Sequence, residues 1–178
     1  MTNVQQFKSD IAKKLTEELG VKNPMAVPVL EKIVVNIGVK NAVADKKNME
    51  IAAQIMEQIT GQKPKVTTAK KSIASFKLRE GDKIGLMVTL RGKRMYGFFS
   101  KLVNVVLPRM KDFRGIKNDS FDSRGNYTLG LAEYSVFPEV DSGKVDRIQG
   151  LEICIVTKAK DKKEGFALLK TLGMPFVK

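Results

Sequence analysis

Two segments of this sequence alternate apolar and polar residues, and this alternation restricts the fold more than any other feature. Residues 30–38 place aliphatic side chains at positions 33, 35 and 37, and residues 85–91 place them at positions 86, 88 and 90. Successive side chains of a strand point to opposite faces of a sheet, so each segment predicts a strand with one buried face and one open face. The open face of the two predicted strands carries Lys32, Asn36, Thr89 and Arg91.

Helical periodicity separates these strands, and the order of elements predicts an α+β fold. In such a fold, helices cover one face of an antiparallel-rich sheet of about five strands. We predict a single domain over residues 1–178, with an N-terminal helix in 1–22 and the α+β part in 30–178. Apolar spacing predicts helices over 3–19, 45–60, 94–107 (ending at Pro108) and 161–172, and further strands over 65–68, 127–132 and 151–157. Exposed loops, the first of them basic, are predicted near 69–84, 109–126 and 138–150.

The positive charge of the chain is concentrated in its middle third. The formal net charge is +13, from 32 Lys and Arg against 19 Asp and Glu. Residues 61–117 carry 15 basic and 3 acidic side chains, a net of +12, whereas residues 118–178 carry 9 of each. A concentrated basic segment creates a local positive field whose natural partner is a polyanion. The charge distribution therefore favours a nucleic-acid-binding protein.

The residues that catalysis commonly needs are scarce. The chain contains no histidine, which excludes histidine-dependent triads and removes the commonest metal ligand. Cys154 is the only cysteine, so no internal disulfide can form, which fits a reducing cytoplasm. No apolar run approaches the roughly 20 residues of a membrane span. We predict no enzyme activity, no catalytic residue, no metal or cofactor site and no small-molecule substrate.

Two other functions remain open at this point. A metal-dependent RNA-processing enzyme needs converging acids, and the basic third offers Glu80, Asp82 and Asp112 alone. An anionic membrane surface would need a basic amphipathic helix, but the basic residues lie mainly in predicted loops and strands. Both alternatives rank below RNA binding.

Several blocks of the sequence, in one order over nearly the whole chain, resemble the bacterial form of the universal L-five family of large-subunit ribosomal proteins. The blocks are Ile59–Pro64, Thr68–Ala74, Val88–Gly92, Pro108–Gly115, Ser120–Tyr127, Phe137–Glu139 and Gly173–Phe176. The resemblance implies a concave antiparallel sheet backed by helices. It also implies a cytoplasmic protein of the large ribosomal subunit.

The resemblance further implies a set of ribosomal partners. These are 5S rRNA, which the family helps to anchor in the central protuberance, the 23S rRNA, and the P-site tRNA. Protein thirteen of the small-subunit head, reached through an intersubunit bridge, and neighbouring central-protuberance proteins complete the set.

The family pattern predicts three groups of site residues. For the first group, the strand alternation supports the same prediction. The residues predicted to bind 5S rRNA are Lys32, Asn36, Gln62, Lys63, Lys65, Thr89 and Arg91. The loop predicted to contact tRNA contains Lys70, Lys71, Ser72, Phe76, Lys77, Arg79 and Lys83. The residues predicted on the intersubunit side are Arg109, Lys111, Asp112, Arg114, Asp141, Lys144 and Arg147.

Overall fold

The computed structural model describes residues 4–21, 23–39, 46–111, 113–140 and 149–177. The helices are α1 (Val4–Leu19), α2 (Lys46–Thr60), α3 (Gly92–Lys101), α4 (Leu107–Arg109) and α5 (Lys162–Thr171). The strands are β1 (Leu30–Gly38), β2 (Lys65–Thr68), β3 (Lys83–Leu90), β4 (Tyr127–Leu131) and β5 (Leu151–Thr157). They form one five-stranded sheet in the order β2-β3-β1-β5-β4, which confirms the predicted α+β fold class.

The strand alternation is confirmed in β1 and in β3 up to Leu90, whereas Arg91, predicted on the open face of the strand, lies after the strand has ended. Ile33, Val35 and Ile37 of β1 are buried, whereas the residues between them are half-buried. In β3 the buried residues include Val88 and Leu90, with Thr89 half-buried between them. Each strand therefore contributes one apolar face to the core and one partly open face.

The chain divides into two compact units, each with its own core. The first unit comprises Met1–Ile33, Arg91–Leu129 and Cys154–Lys178, and the second comprises Val34–Leu90 and Gly130–Ile153. Fully buried side chains of the first unit include Leu15, Leu102 and Ile155, and those of the second include Met56, Leu86 and Ile153. The single-domain assignment stays a prediction.

The helix predicted over 94–107 begins earlier and ends differently. It begins at Gly92, whose φ of +59° turns the chain directly from strand into helix. After Lys101 it widens into a π-helix over Leu102–Val106, and the Leu107 N–H donates to the Leu102 carbonyl five residues back. Pro108 has no N–H to donate, and the widened turn lets the chain continue through it into α4. The helical backbone therefore continues to Arg109, and the predicted helix end at Pro108 is wrong.

Other helix ends follow the predicted signals. Gly20 after α1, Gly61 after α2 and Gly173 beyond α5 all have positive φ, as left-handed helix stops require. Asp161 caps α5, because its Oδ1 accepts from the Glu164 N–H at 2.8 Å. The predicted cap at Asp45 lies outside the described residues. Among the described residues, no helix is long and apolar enough to cross a membrane.

Candidate nucleic-acid interface

Part of the predicted 5S rRNA site lies on one open face of the second unit. Lys65 of β2 pairs with Met87 of β3, so Lys65 shares the sheet face of Met87 and Thr89. Lys65 is exposed, and Thr89 and Asn36 are half-buried. The face thus combines a cation with neutral hydrogen-bonding groups, which suits contact with folded RNA.

An acidic residue on this face engages Asn36. The Asn36 Nδ2 donates to the Glu152 Oε2 of β5 at 3.3 Å, which leaves the Asn36 Oδ1 as an acceptor for an incoming donor. The sequence reasoning did not select Glu152. Glu152 and Cys154 alternate with the buried residues of β5, and this alternation in the sequence could have predicted Glu152 on the open face.

Gln62 is held beside β3 by the turn that ends α2. The Gln62 N–H donates to the Thr60 Oγ1 at 3.3 Å, and the Thr60 hydroxyl in turn donates to the Met56 carbonyl of α2 at 2.7 Å. The Gln62 Nε2 reaches the Thr89 carbonyl at 3.5 Å, so the structure brings Gln62 and Thr89 together. Lys63, the next residue, is exposed.

Lys32 and Arg91, the other two predicted 5S residues, belong to the first unit. Arg91 directly precedes α3, and its side chain is 59% exposed. It pairs with Glu31 at 3.8 Å, a surface contact of a kind worth about 0–1 kcal/mol. Lys32 is half-buried on β1. The Arg91 guanidinium is therefore available for an external anion.

The start of α3 carries an unusual charge arrangement. Arg91 makes no side-chain cap, no acid lies in the first turn, and both Lys93 and Arg94 are exposed there. The N-terminus of a helix carries a partial positive charge, so these cations are unfavourable where they stand. Lys93 and Arg94 were not selected from the sequence, and the predicted start at residue 94 left Lys93 outside the helix.

The basic segment after β2 is exposed as predicted, but it is an ordered hairpin rather than an irregular loop. The Ala69 N–H donates to the Asp82 carbonyl at 2.9 Å. Nearer the tip, Ile73 and Leu78 exchange two backbone hydrogen bonds of 2.9 and 3.1 Å. The antiparallel pairing of β2 and β3 is thereby extended to a turn at residues 74–77. We call residues 69–82 the basic hairpin.

Side chains inside the basic hairpin also fix its shape. The Ser72 Oγ accepts from the Glu80 N–H at 3.0 Å, and the Asp82 Oδ2 accepts from the Arg79 N–H at 2.7 Å. Lys77 takes a left-handed φ of 51° at the end of the turn. Ser72 and Asp82 therefore shape the backbone of the basic hairpin.

The tip of the basic hairpin presents apolar and basic groups to solvent. Phe76 is 77% exposed and Ile73 is 42% exposed. All seven residues of the predicted tRNA-contacting set are exposed: Lys70, Lys71, Ser72, Phe76, Lys77, Arg79 and Lys83. Within the described residues, no group of three or more His, Cys, Asp or Glu side chains could hold a metal ion.

The block Ser120–Tyr127 is organised around a single carboxylate. The Asp122 Oδ1 accepts from the backbone N–H groups of Arg124 and Asn126, at 2.9 and 2.8 Å, and its Oδ2 accepts from the Asn126 Nδ2 at 2.7 Å. Burial acts to raise the pKa of Asp122, but the hydrogen bonds from Asn126 and Arg124 together hold it below its usual value. Asp122 therefore folds the turn, and Ser123 and Arg124 are left exposed.

This turn is joined to β5 and α5. The Asn126 Oδ1 accepts from the Thr157 N–H at 2.9 Å, and the Thr157 hydroxyl donates to the Gly125 carbonyl at 3.0 Å. Gly125, with φ of +73°, lies so close to Gly165 that neither position has room for a Cβ. The rings of Phe121 and Tyr127 pack 4.7 Å apart. Most residues of the Ser120–Tyr127 block therefore pack against, or hydrogen-bond to, other parts of the protein.

The predicted intersubunit residues are partly described. Arg109 at the end of α4, with Lys111 and Arg114 after it, is exposed. The remaining members lie outside the described residues: Asp112, Asp141, Lys144 and Arg147.

Comparisons with known proteins cover most of this chain. The family model of ribosomal protein L5 matches residues 23–79, and the separate model of the C-terminus of that ribosomal family matches residues 83–176. Proteins described as large ribosomal subunit protein uL5 are similar over 97% of this chain and 96% of their own length. Identity is 55% for Solibacter usitatus, 52% for Roseiflexus castenholzii and 53% for Mycoplasma mycoides subsp. mycoides. The resemblance found in the sequence is confirmed, and the chain belongs to the L5 family of ribosomal proteins.

Proposed function

We propose that this protein binds 5S rRNA through its open sheet face and the basic start of α3, and helps to anchor that RNA in the central protuberance. Its family is structural rather than catalytic, so the chain is a structural constituent of the large ribosomal subunit in the cytoplasm. The proposal extends to the 23S rRNA and neighbouring central-protuberance proteins as partners. It further assigns P-site tRNA to the basic hairpin and the small-subunit head protein thirteen to the intersubunit side.

The observation that carries the 5S proposal is that one sheet face presents both neutral hydrogen-bonding groups and an exposed lysine. Asn36 offers an acceptor whose amide donor is already held by Glu152. Thr89 and the exposed Lys65 share one face of the sheet. Neutral groups can bond to sugar and base edges, while cations neutralise phosphate, and folded RNA needs both kinds of contact.

The start of α3 adds a thermodynamic argument. Arg91, Lys93 and Arg94 repel the positive end of the helix, so their position lowers the stability of the free protein. A phosphate bound there would interact favourably with the helix end and with all three cations. Residues that reduce stability and favour a ligand are typical of binding sites.

Lys93→Glu is expected to raise the stability of the free protein and weaken its binding to 5S rRNA. The substitution exchanges a repelled cation for an attracted anion at the helix start, a change worth about 0.3–1 kcal/mol for each charge. We expect 5S rRNA affinity to fall about tenfold at physiological salt, since one phosphate contact becomes a repulsion. Urea unfolding measures the first effect, and filter binding measures the second.

Lys170→Glu is the matched control for this variant. Lys170 lies in the last turn of α5, where a cation is favourable, so the same charge reversal should lower stability. It should leave 5S rRNA affinity within about twofold of the wild type. Unaltered 5S binding by Lys93→Glu would contradict the assignment of the α3 start to RNA.

The basic hairpin suits a second RNA partner because of its shape and its tip. Internal hydrogen bonds order it, so that little conformational entropy is lost when it meets a ligand. Phe76 can stack on a base, and the surrounding lysines can contact the backbone. An ordered basic arm with an exposed aromatic tip supports the proposed contact with tRNA.

Phe76→Ala is expected to weaken tRNA contact without changing the fold. The ring is 77% exposed, so its loss should leave the melting temperature within about 1 °C. Stacking on a base is worth about 1–3 kcal/mol, so we expect P-site tRNA to dissociate about tenfold faster from ribosomes reconstituted with the variant.

Met25→Ala is the control, because it truncates an apolar side chain that is 91% exposed elsewhere. It should leave the rate of tRNA dissociation at the wild-type value. Equal dissociation rates for wild type and Phe76→Ala would rule out stacking by the hairpin tip.

A further inference from the structure

We propose that the turn between β5 and α5 is a second RNA-binding site, which contacts a phosphate backbone separately from the open sheet face. Four exposed lysines lie in this short turn and at the start of α5: Lys158, Lys160, Lys162 and Lys163. We call them the lysine cluster. The proposal rests on the chain being a ribosomal protein, and it does not depend on the 5S assignment.

The fold adds an arginine from a distant part of the chain to this cluster. The ideal Cβ position of Gly125 is 2.6 Å from the Asp161 carbonyl oxygen and 2.8 Å from the Ala159 Cβ. The Thr157 N–H donates to the Asn126 Oδ1 at 2.9 Å. The turn that carries the exposed Arg124 is therefore packed against the backbone that carries the lysines.

The nearby carboxylates are directed into the backbone. The Asp161 Oδ1 accepts from the Glu164 N–H at 2.8 Å, and the Glu164 Oε2 accepts from the Lys160 N–H at 2.9 Å. Asp122 accepts from the N–H groups of Arg124 and Asn126. These three acids thus hold the two turns through backbone hydrogen bonds rather than through ion pairs with the lysines.

The lysines themselves are not neutralised by the protein. Within the described residues, none of the four forms an ion pair within 4 Å. Lys162 and Lys163 also lie in the first turn of α5, where the helix dipole disfavours a cation. The five exposed cations outnumber the three acids of these turns, which gives a local positive surface that an external polyanion would neutralise.

The chemistry of this surface favours RNA over an acidic protein. No large apolar side chain among residues 120–127 and 157–164 is among the exposed ones, whereas protein interfaces depend on buried apolar and aromatic anchors. Lysines contact phosphate as flexible point charges and need no such anchor. Residues 118–178 have equal numbers of acidic and basic side chains, so the net charge of this segment does not indicate the lysine cluster.

The test compares two variants that lose the same number of charges. Lys158→Gln/Lys160→Gln/Lys163→Gln removes three cluster lysines, and Lys13→Gln/Lys14→Gln/Lys170→Gln removes three other exposed lysines. Filter binding over a salt series measures affinity for two probes: a bacterial 5S rRNA, and a bacterial 23S rRNA transcript in the presence of saturating 5S rRNA. Thermal unfolding checks that both variants are folded.

For the cluster variant we expect affinity for the 23S transcript to fall about tenfold or more. The slope of log affinity against log salt should become shallower by about 2, as three lost phosphate contacts predict. Its 5S rRNA affinity, and both affinities of the control variant, should stay within about twofold of the wild type.

Three results would overturn the second site. They are unchanged 23S binding by the cluster variant, an equal loss in the control variant, and an equal loss of 5S and 23S binding. Failure of the wild-type protein to bind 5S rRNA would contradict the proposed function but not the second site. In that case the two variants would be compared for 23S binding without 5S rRNA, and this comparison would decide the inference.

Discussion

Gly165→Ala is expected to lower the free energy of unfolding by about 3 kcal/mol, the upper end of the usual range for overpacking. The new methyl group would overlap the backbone of Gly125, including its carbonyl oxygen. A backbone atom cannot rotate away as a side chain can, so α5 or the Ser120–Tyr127 turn must shift. For a chain of this size, the corresponding fall in melting temperature is about 6–12 °C.

The same substitution at Gly97 provides a control with the opposite sign. Gly97 is an exposed residue within α3, and an added Cβ would meet nothing within 4 Å. Alanine is favoured over glycine inside a helix, so Gly97→Ala should raise stability by about 0.5–1 kcal/mol. Urea unfolding followed by circular dichroism measures both changes. Equal stability of Gly165→Ala and the wild type would contradict the close packing of the two glycines.

The second large effect is expected from removal of the polar groups assigned to 5S rRNA. The variant Asn36→Ala/Gln62→Ala/Thr89→Ala/Arg91→Ala should bind 5S rRNA at least about 100-fold more weakly. A hydrogen bond contributes about 0.5–1.5 kcal/mol, and an arginine that forks to RNA contributes about 1–3 kcal/mol. The fold should persist, because these side chains lie on partly or fully exposed positions.

The matched control removes the same four residue types from other positions. Gln54, Asn104, Arg114 and Thr128 are all exposed, and none of them is assigned to 5S rRNA. Their joint replacement by alanine removes the same net charge, and it should leave 5S affinity within about threefold of the wild type. Comparable losses in the two variants would show that total charge, rather than the four assigned residues, determines binding.

Strand parity was predictable from sequence because it is local. The alternation in residues 30–38 and 85–91 assigns Asn36 and Thr89 to the open side without any long-range contact. Helix stops at Gly20 and Gly61 were predictable for the same reason, since one glycine and its immediate neighbours determine each of them.

The contacts that sequence reasoning missed join distant residues. Glu152 reaches Asn36 across 116 positions, and Gly125 meets Gly165 across 40. The basic hairpin was predicted as a loop because backbone pairing at Ala69 and Ile73 and the side-chain contact from Ser72 order it without an apolar alternation in the sequence. Lys93 was missed because a start at residue 94 excluded it from the first helical turn.

The most direct test of the 5S proposal is the affinity of the full-length wild-type protein for 5S rRNA, measured with tRNA as competitor at physiological salt. The proposed face reads shape and hydrogen-bonding groups as well as charge, so 5S binding should persist in an excess of tRNA of about 100-fold. The slope of log affinity against log salt should be about −4 to −5, as about six phosphate contacts predict. Displacement of 5S rRNA by an equimolar amount of tRNA would contradict a 5S-specific site.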